Sequence, residues 1–335
     1  MNFQQLRYVA AAAHHDLNLT EVANQLFISQ SAVSKQIREL EAELGIDIFV
    51  RRGKRLVGLT EAGIHASAVI EGILKGSDNL KRLSAQFAAE DQGRLTIATT
   101  HNQASYVLPS VLLRFTQDFP KVVVEIRQGT PQYVADMLLR READVGIATE
   151  ALDDVSGLVT VPAFDWSHVV IVPEWHDLAN LPEPTLSDIA AYPLITYSRD
   201  VTGGSAVHDA FEQADLYPDL RLTAMDADVI KTYVRLGMGV GVVAEMAAAN
   251  GEMDGLVALA GSHRLFPSSS TKVALLKGSL LRNFAYNLVE ALAPQIPRAG
   301  LTGARPIIPP QQPLATFAQR TDLHVARQAR GTASA

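Results

Sequence analysis

The segment SQSAVSKQIRELEAELG, residues 29–45, decides the fold expected for the start of this chain. Its apolar side chains recur every three or four positions, at Val33, Ile37, Leu40 and Leu44. This spacing predicts a helix with one buried face. Ser29 precedes the pattern as an N-cap residue, and Gly45 follows it as a residue that commonly ends helices. The polar side chains of the segment are therefore expected to face outward.

Two helical patterns before this segment and a hairpin pattern after it complete a small domain. The first pattern places one helix face at Phe3, Leu6, Ala10, Ala13 and Leu17. Thr20 is predicted to cap a second, short helix with Val22, Ala23 and Leu26 inward. Residues 46–59 contain two glycines and read as a small basic hairpin. Three short helices and a basic hairpin are typical of a winged helix-turn-helix, which we assign to residues 1–59.

The charge distribution favours nucleic-acid binding by this domain. The whole chain carries a net charge of −7 with a pI near 5.7, which taken alone argues against a polyanionic partner. Six cations nevertheless gather between residues 35 and 55: Lys35, Arg38, Arg51, Arg52, Lys54 and Arg55. We predict that these cations bind phosphates, and that the exposed side of the third helix contacts base edges. That side carries Gln30, Ser31, Ser34, Lys35 and Arg38. The alternative, that these are only solvated polar positions, stays open at this point.

The rest of the chain of 335 residues divides into a linker helix, an α/β domain and a tail. Residues 60–89, beginning at a capping Thr60, predict a long linker and dimerisation helix. From residue 93, eight apolar strand patterns alternate with helical ones, which predicts a doubly wound α/β domain over 93–296. Its length suits two lobes like those of periplasmic binding proteins, lobe I (93–163 and 268–296) and lobe II (164–267). The Pro-rich residues 297–335 are predicted to be disordered or weakly helical.

Three hydroxyl-rich spots of the α/β domain fall where strands end and helices begin. They are the residues around Thr100, Thr149 at the end of a strand, and the residues around Thr202. Helix N-termini present free N–H groups and a partial positive charge, so such spots can hold an anion without a cationic side chain. Each threonine can equally be a helix cap that contacts no ligand.

Several classes of function lack the residues that they need. The chain has no cysteine, no apolar run of membrane-spanning length and no basic-then-apolar leader at its start. We therefore expect a cytoplasmic protein with no membrane contact. No nucleophile elbow or P-loop is present, and the glycines of 237–241 follow a helix instead of opening one. The adjacent His14 and His15 point to different helix faces. We expect no catalytic residues, no metal site and no enzyme.

The N-terminal motifs resemble those of the LysR-type bacterial transcriptional regulators. The resemblance rests on the order of FQQLRY (3–8), LTEVA (19–23), SQSAVSKQI (29–37), LEAELG (40–45), FVRR (49–52) and LTEAG (59–63). Further segments look like the CysB branch of sulfur-assimilation and sulfonate-utilisation regulators: ATTHNQA (98–104), QGTP (128–131), IATEAL (147–152), PLITY (193–197) and DADVIKTYVRLG (226–237). The match covers residues 1–296, and the tail lies outside it.

The resemblance implies a homodimer or homotetramer that binds double-stranded promoter DNA, engages RNA polymerase and responds to a small sulfur-metabolism anion. Sulfate, O-acetylserine and N-acetylserine are the expected kinds of effector, with no other cofactor. The implied effector site lies in the cleft between the lobes, at Thr100, Asn102, Gln103, Thr149 and Thr202. The family commonly has a second threonine at the position of Asn102, so the donor geometry differs here. Trp166, near the crossing between lobes, is a further candidate wall of the cleft, with a core position as its alternative.

The expected function is thus a transcriptional regulator, most simply an activator, of genes for cysteine biosynthesis and for sulfate or sulfonate uptake. A regulator of an unrelated pathway is the alternative within the family. A small-anion solute-binding protein is the alternative from another class, because two α/β lobes also suit that role. Lys231 belongs to the 226–237 helix and is more simply read as a solvated or salt-bridged lysine than as a cleft residue.

Overall fold

The computed structural model describes residues 1–14, 17–53, 55–88, 91–199, 201, 203–249, 253–294 and 314–317. The chain divides into two compact units, Met1–Ala88 and Ala89–Ala335. No helix among the described residues combines the length and the apolar character that crossing a bilayer requires.

The first unit is a winged helix-turn-helix followed by a long helix, as the sequence predicts. Its elements are α1 (Phe3–His14), α2 (Leu19–Gln25), α3 (Gln30–Leu44), β1 (Phe49–Arg52), β2 (Arg55–Leu59) and α4 (Glu61–Ala88). Strands β1 and β2 pair in antiparallel register. The Oγ of Ser29 accepts a hydrogen bond from the N–H of Ala32, and Gly45 ends α3 with a φ of 69°. The Oγ1 of Thr60 accepts from the N–H of Gly63 at the start of α4.

Several local predictions for this unit are wrong, and among them Leu26 and Leu44, which were placed on buried helix faces, are 36% and 40% exposed. Helix α1 buries Leu6, Val9 and Ala12, whereas Phe3 is 52% exposed, because α1 packs against both α3 and α4 and its buried face is turned accordingly. Helix α2 is capped by Asn18 instead of Thr20, since the Oδ1 of Asn18 accepts from the first free N–H groups of that helix.

The second unit contains two five-stranded mixed sheets. The lobe I sheet has the strand order β4–β3–β5–β12–β6, formed by β3 (Gln92–Thr99), β4 (Lys121–Gln128), β5 (Val145–Thr149), β6 (Leu158–Trp166) and β12 (Ser269–Leu276). The lobe II sheet has the order β11–β7–β10–β8–β9, formed by β7 (His168–Pro173), β8 (Leu194–Tyr197), β9 (Leu220–Ala224), β10 (Val240–Ala244) and β11 (Leu256–Ala258). Parallel pairs join β3 to β4 and β5, and β8 to β9 and β10. The predicted two-lobed α/β fold is confirmed.

Helices cover both sheets. A π-helical turn (Gln103–Val107) leads into α5, and the helices of this unit are α5 (Leu108–Asp118), α6 (Pro131–Leu139), α7 (Leu186–Ala190), α8 (Gly204–Gln213), α9 (Ala227–Arg235), α10 (Glu245–Ala249) and α11 (Asn283–Leu292). One large buried cluster contains residues of both lobes, among them Tyr106, Phe164, Tyr197 and Met246. The lobes therefore share an apolar core next to the cleft.

The first crossing between lobes lies at Ser167, three residues past the predicted boundary. Strand β6 continues through Trp166 because its backbone pairs with β12 as far as Ser269. Strands β6 and β11 are absent from the sequence prediction.

Four residues of the predicted disordered tail, 314–317, are in contact with the lobe I sheet. Thr316 forms a parallel bridge with Asp165, whose N–H donates to the carbonyl of Ala315 at 3.2 Å. Phe317 is 6% exposed, and its ring lies 5.8 Å from that of Phe164. The prediction of disorder is wrong for these four residues, because the edge of β6 and the ring of Phe164 give them partners. The rest of the tail lies outside the described residues.

Candidate functional site

Helix α3 presents a polar face next to a completely buried one. Val33, Ile37 and Leu40 have no exposed surface. Gln30, Ser31, Lys35 and Arg38 are exposed and Ser34 is half-buried, all at helical spacing on the opposite side. The ammonium of Lys35 lies 3.7 Å from the carboxylate of Glu39, an exposed pair that is worth little and leaves the lysine available. The predicted base-contacting residues therefore share one accessible face.

The cations of the hairpin divide into two groups. Arg52 and Arg55 are exposed, and Lys54 lies outside the described residues. Arg51 differs from its predicted phosphate-binding role, because its guanidinium donates to the Oε2 of Glu41 at 2.6 Å and only 23% of its side chain is exposed. The Oε1 of buried Glu41 accepts from the N–H groups of Ile48 and Phe49. Arg51 thus anchors the hairpin to α3.

A pocket of about 170 Å³ lies between the lobes of the second unit. Lobe I contributes Thr100, His101, Asn102, Gln128 and Gly129, and lobe II contributes Val201, Met225 and Asp226. These residues lie at or just past the carboxyl ends of β3, β4, β8 and β9. Open α/β sheets bind their ligands at this edge.

The lobe I wall of the pocket contains buried polar atoms that lack a partner. Thr100 and Asn102 are 3% and 4% exposed, and neither the Oγ1 of Thr100 nor the Oδ1 of Asn102 is hydrogen-bonded within the described part of the chain. A buried polar group without a partner costs about 1–3 kcal/mol. Native proteins keep few such groups, so a ligand in this pocket is the natural partner for both atoms.

Gln103 and Thr149 are both buried and both lie next to Thr271 of β12. The Nε2 of Gln103 donates to the Oγ1 of Thr271 at 2.9 Å, and Thr271 stands opposite Thr149 in the register of β12 and β5. The Oε1 of buried Gln103 has no partner among the described residues. Of the predicted effector residues, Thr100 and Asn102 line the pocket, whereas Gln103 and Thr149 are not among its lining residues. Thr202 is outside the described residues.

Trp166 does not line the pocket. It is 2% exposed, and a Cβ placed on Gly203 would come within 2.9 Å of its ring. Gly203 has a φ of 71°, so both its backbone conformation and the Trp166 ring require a glycine there. Trp166 thus supports the turn that opens α8, and its predicted role as a wall of the cleft is replaced by this supporting role.

His168 is a residue that the sequence analysis missed. It is fully buried, its ring lies 5.0 Å from that of Trp166, and both of its ring nitrogens lack partners in the part of the chain that the structure describes. Burial lowers the pKa of His168 to about 3, so it is neutral at pH 7. Its only sequence signal is its place at the head of an apolar strand, which says nothing about its surroundings.

A polar cluster joins the two lobes beside the pocket. The carboxylate of Asp228 in lobe II accepts from the hydroxyl of Tyr106 in lobe I at 2.6 Å and from the ammonium of Lys231 at 2.9 Å. The Nε2 of His101 in lobe I lies 3.5 Å from the second oxygen of Asp228. We call these four residues the interlobe cluster. Burial opposes ionisation of Asp228, but the hydrogen bonds from Tyr106 and Lys231 outweigh it and lower its pKa.

A second contact between the lobes involves a pocket residue. The hydroxyl of buried Tyr197 in lobe II accepts from the Nδ2 of Asn102 at 3.1 Å and from the N–H of Ala244 at 3.2 Å. Burial raises the pKa of Tyr197 above its usual range, so the hydroxyl stays neutral. A ligand that contacts Asn102 is therefore coupled to the opposite lobe through one hydrogen bond.

Comparisons with known proteins match both units. A family profile described as "Bacterial regulatory helix-turn-helix protein, lysR family" matches residues 3–64, and one described as "LysR substrate binding domain" matches residues 88–296. The chain is 54% identical over 303 residues to the HTH-type transcriptional regulator SsuR of Burkholderia cenocepacia, covering 90% of this chain and 98% of that protein. It is 48% identical over 298 residues to the HTH-type transcriptional regulator CysB of the same organism, covering 89% and 95%. The crystal structure of the cofactor-binding domain of the Cbl transcriptional regulator is similar, with a TM-score of 0.58, 44% identity, and coverage of 61% of this chain and 89% of that one.

Proposed function

This chain belongs to the LysR family of transcriptional regulators, and we propose that it activates sulfur-acquisition genes in response to a small anionic effector. The similarity to SsuR and CysB supports a regulator of this kind, not an enzyme. A helix-turn-helix with an exposed polar face separates the chain from a solute-binding protein, which has no use for one.

One observation carries the effector part of the proposal. Thr100 holds a buried, unpartnered hydroxyl against a pocket at the carboxyl edge of the lobe I sheet, where Asn102 follows it. They stand where a helix begins, so the first N–H groups of that helix lack intrahelical partners and carry a partial positive charge. Hydroxyl and backbone donors of this kind bind a sulfate, sulfonate or carboxylate group without a basic side chain. The effector binds non-covalently, and no further cofactor is part of the proposal.

The DNA part of the proposal rests on α3. Its exposed Gln30 and Ser31 reach base edges of a promoter duplex, while Lys35, Arg38 and Arg52 neutralise phosphates. Self-association brings two or four such helices to one promoter. Exposed apolar side chains along α4, at Ile64, Val69, Ile73 and Leu80, support dimerisation through that helix. The regulator acts in the cytoplasm, and its effector alters how RNA polymerase gains access to the promoter.

The effector part is tested by calorimetric titration of the full chain with sulfate, O-acetylserine and N-acetylserine. We expect at least one of them to bind, and Thr100→Ala to weaken that binding about tenfold, because a hydrogen bond to a charged group is worth about 1.5–3 kcal/mol. The matched control is Thr116→Ala in the same lobe, whose hydroxyl donates to helix carbonyls in α5. Equal binding by wild type and Thr100→Ala would remove the site from the proposal.

The DNA part is tested by gel-shift titration on promoter DNA of sulfur-acquisition genes over a series of salt concentrations. We expect specific binding whose affinity falls steeply with salt, by about 0.9 in log–log slope for each phosphate neutralised. A chain that ignores these promoters but binds others would belong to the same family with a different set of target genes.

A further inference from the structure

The pocket between the lobes carries opposite electrostatic character on its two walls. The lobe I wall offers the unpartnered hydroxyl of Thr100 and the start of a helix, both suited to an anionic group. The lobe II wall offers the carboxylate of Asp226. No lysine or arginine lines the pocket among the described residues. A ligand with negative charge alone therefore meets a favourable wall and a repulsive one.

Asp226 is held in place by the fold. Its Oδ1 accepts a hydrogen bond from the N–H of Val229 at 2.9 Å and so caps α9. The residue is half-buried and lies beside Met225 and Val201 in the pocket lining. Capping uses one carboxylate oxygen and leaves a negative charge beside the bound ligand.

Lobe I contributes further acceptors to the pocket that Asp226 lines. The Oδ1 of Asn102 is buried and unpartnered within the described residues, and the Oε1 of Gln128 lies 3.2 Å from the Nδ1 of His101. Both side chains line the pocket together with Asp226. A ligand that carries N–H donors satisfies the Oδ1 of Asn102, whereas sulfate, which has only acceptors at neutral pH, leaves it without a partner.

We propose that the preferred effector is a zwitterion, with an anionic group bound at the Thr100 wall and an ammonium group bound by Asp226. This inference rests on the proposed function and narrows its ligand class. It selects aminoalkanesulfonates and amino acids with a free amine over sulfate, hydroxyalkanesulfonates and N-acylated amino acids. Asp226 is the residue that determines this specificity.

A divalent cation is the competing occupant of the same carboxylates. His101, Asp226 and Asp228 place one ligand atom each within 4.8 Å of one another. The Oδ1 of Asp228, however, already accepts from Tyr106 and from the ammonium of Lys231, and this ammonium places a positive charge beside the site that would repel a divalent cation. The ammonium of a ligand needs only Asp226 and neutral acceptors, so the geometry favours it.

The test compares ligands that differ only in the ammonium group, by calorimetric titration of the full chain at pH 7. Taurine (2-aminoethanesulfonate) and isethionate (2-hydroxyethanesulfonate) form one pair, and O-acetylserine and N-acetylserine form an isomeric second pair. We expect wild type to bind the ammonium member of at least one pair about tenfold or more tightly, because opposite charges in a partly buried site attract by more than this factor. Sulfate is titrated as the anion without any donor.

The variant Asp226→Asn should abolish the preference for the ammonium ligand, since asparagine keeps the helix cap and removes the charge. We expect its binding of the ammonium ligand to fall about tenfold and its binding of sulfate to strengthen. The matched control is Asp219→Asn in the same lobe, whose side chain is 62% exposed and pairs with Arg221 away from the pocket. It should leave the ligand preference unchanged.

The outcomes separate this inference from the proposed function. The zwitterion would be overturned, with an anion-controlled regulator left intact, if isethionate and N-acetylserine each bound as tightly as the ammonium member of its pair. Binding of sulfate as tightly as the better ammonium ligand would have the same meaning. Tight binding of Zn²⁺ alone, lost in Asp226→Asn and competitive with taurine, would also overturn it in favour of the metal. Failure of wild type to bind any of the five ligands would remove effector control by these anions altogether.

Discussion

The interlobe cluster allows one prediction to be worked out in detail, the effect of Asp228→Asn on the stability of the second unit. The substitution removes the charge that the hydroxyl of Tyr106 and the ammonium of Lys231 both contact. The Lys231 side chain is 4% exposed, so it is left as a buried cation without a carboxylate. Removing one partner of a buried ion pair costs about 3–5 kcal/mol.

Two features reduce this figure. The Asp228 side chain is 56% exposed, which screens the pair, and asparagine keeps an oxygen that accepts a neutral hydrogen bond. We therefore expect a loss of about 2 kcal/mol in the free energy of unfolding. With a urea dependence of about 2 kcal/mol per molar, the unfolding midpoint falls by about 1 M.

Intrinsic fluorescence measures this unit alone, because both tryptophans of the chain, Trp166 and Trp175, belong to it. The control Asp219→Asn breaks an exposed pair with Arg221 and should change stability by less than about 0.5 kcal/mol. A double-mutant cycle with Tyr106→Phe should give a coupling energy, since the two side chains are in direct contact. Equal midpoints for Asp228→Asn and Asp219→Asn would refute the stabilising role of the cluster.

The pH dependence of the same cluster has a definite sign. The pKa of Asp228 is lower in the folded chain than in the unfolded one, where it is near 3.9. Its contribution to stability is therefore complete above about pH 5 and is lost as the pH falls through the folded value. Asp228→Asn should remove this part of the acid sensitivity.

Three further predictions concern other parts of the chain. Arg38→Ala should reduce the salt slope of DNA binding by about 0.9 without unfolding the first unit. Arg51→Ala should instead lower the thermal midpoint of that unit in circular dichroism, because buried Glu41 loses its cation. Equal effects of the two substitutions on stability would contradict these different roles. Between about pH 6.5 and 3 only the unfolded chain protonates His168, so the wild-type chain loses up to about 1.4 kcal/mol of stability per pH unit as the pH falls. His168→Phe should be free of this loss and should resist acid better. Unchanged acid unfolding would count against the burial of His168 without partners. Phe317→Ala should destabilise the second unit by about 2 kcal/mol in urea unfolding, because a ring that is 6% exposed leaves a cavity, and no change would show that the tail contact is weak.

The sequence predicts those strands that are continuous apolar runs. It does not predict a strand whose composition is unfavourable and which forms through backbone pairing with a neighbouring strand. Strand β6 (LVTVPAFDW) contains Pro162 and Asp165, which argue against a strand. The strand tolerates Pro162 because β6 is the edge strand of its sheet and because its register with β12 shifts beside the pair Pro162–Lys272. Local composition cannot reveal a partner more than a hundred residues away.

Some residues of the candidate sites can likewise be predicted from the sequence, and others cannot. Thr100 and Asn102 are predictable, because a strand followed by a helix start marks them in the sequence. The different roles of Arg51 and Arg52 are not predictable from the sequence. Both are arginines in a basic hairpin, and only the position of Glu41 in the fold distinguishes them. His168 is hidden for the same reason: its isolation depends on Trp166 and on the turn at Gly203, which the fold brings together.

The tail contact has a practical consequence for dissecting this chain. The family profile of the second unit ends at residue 296, and a fragment cut there lacks Ala315, Thr316 and Phe317. Such a fragment would present the outer strand of the lobe I sheet with open backbone groups and an uncovered Phe164, the kind of edge on which chains stack into aggregates. Poor solubility of a short fragment would then say nothing about the intact regulator, and a fragment ending after Phe317 is the sounder choice for isolated ligand-binding measurements.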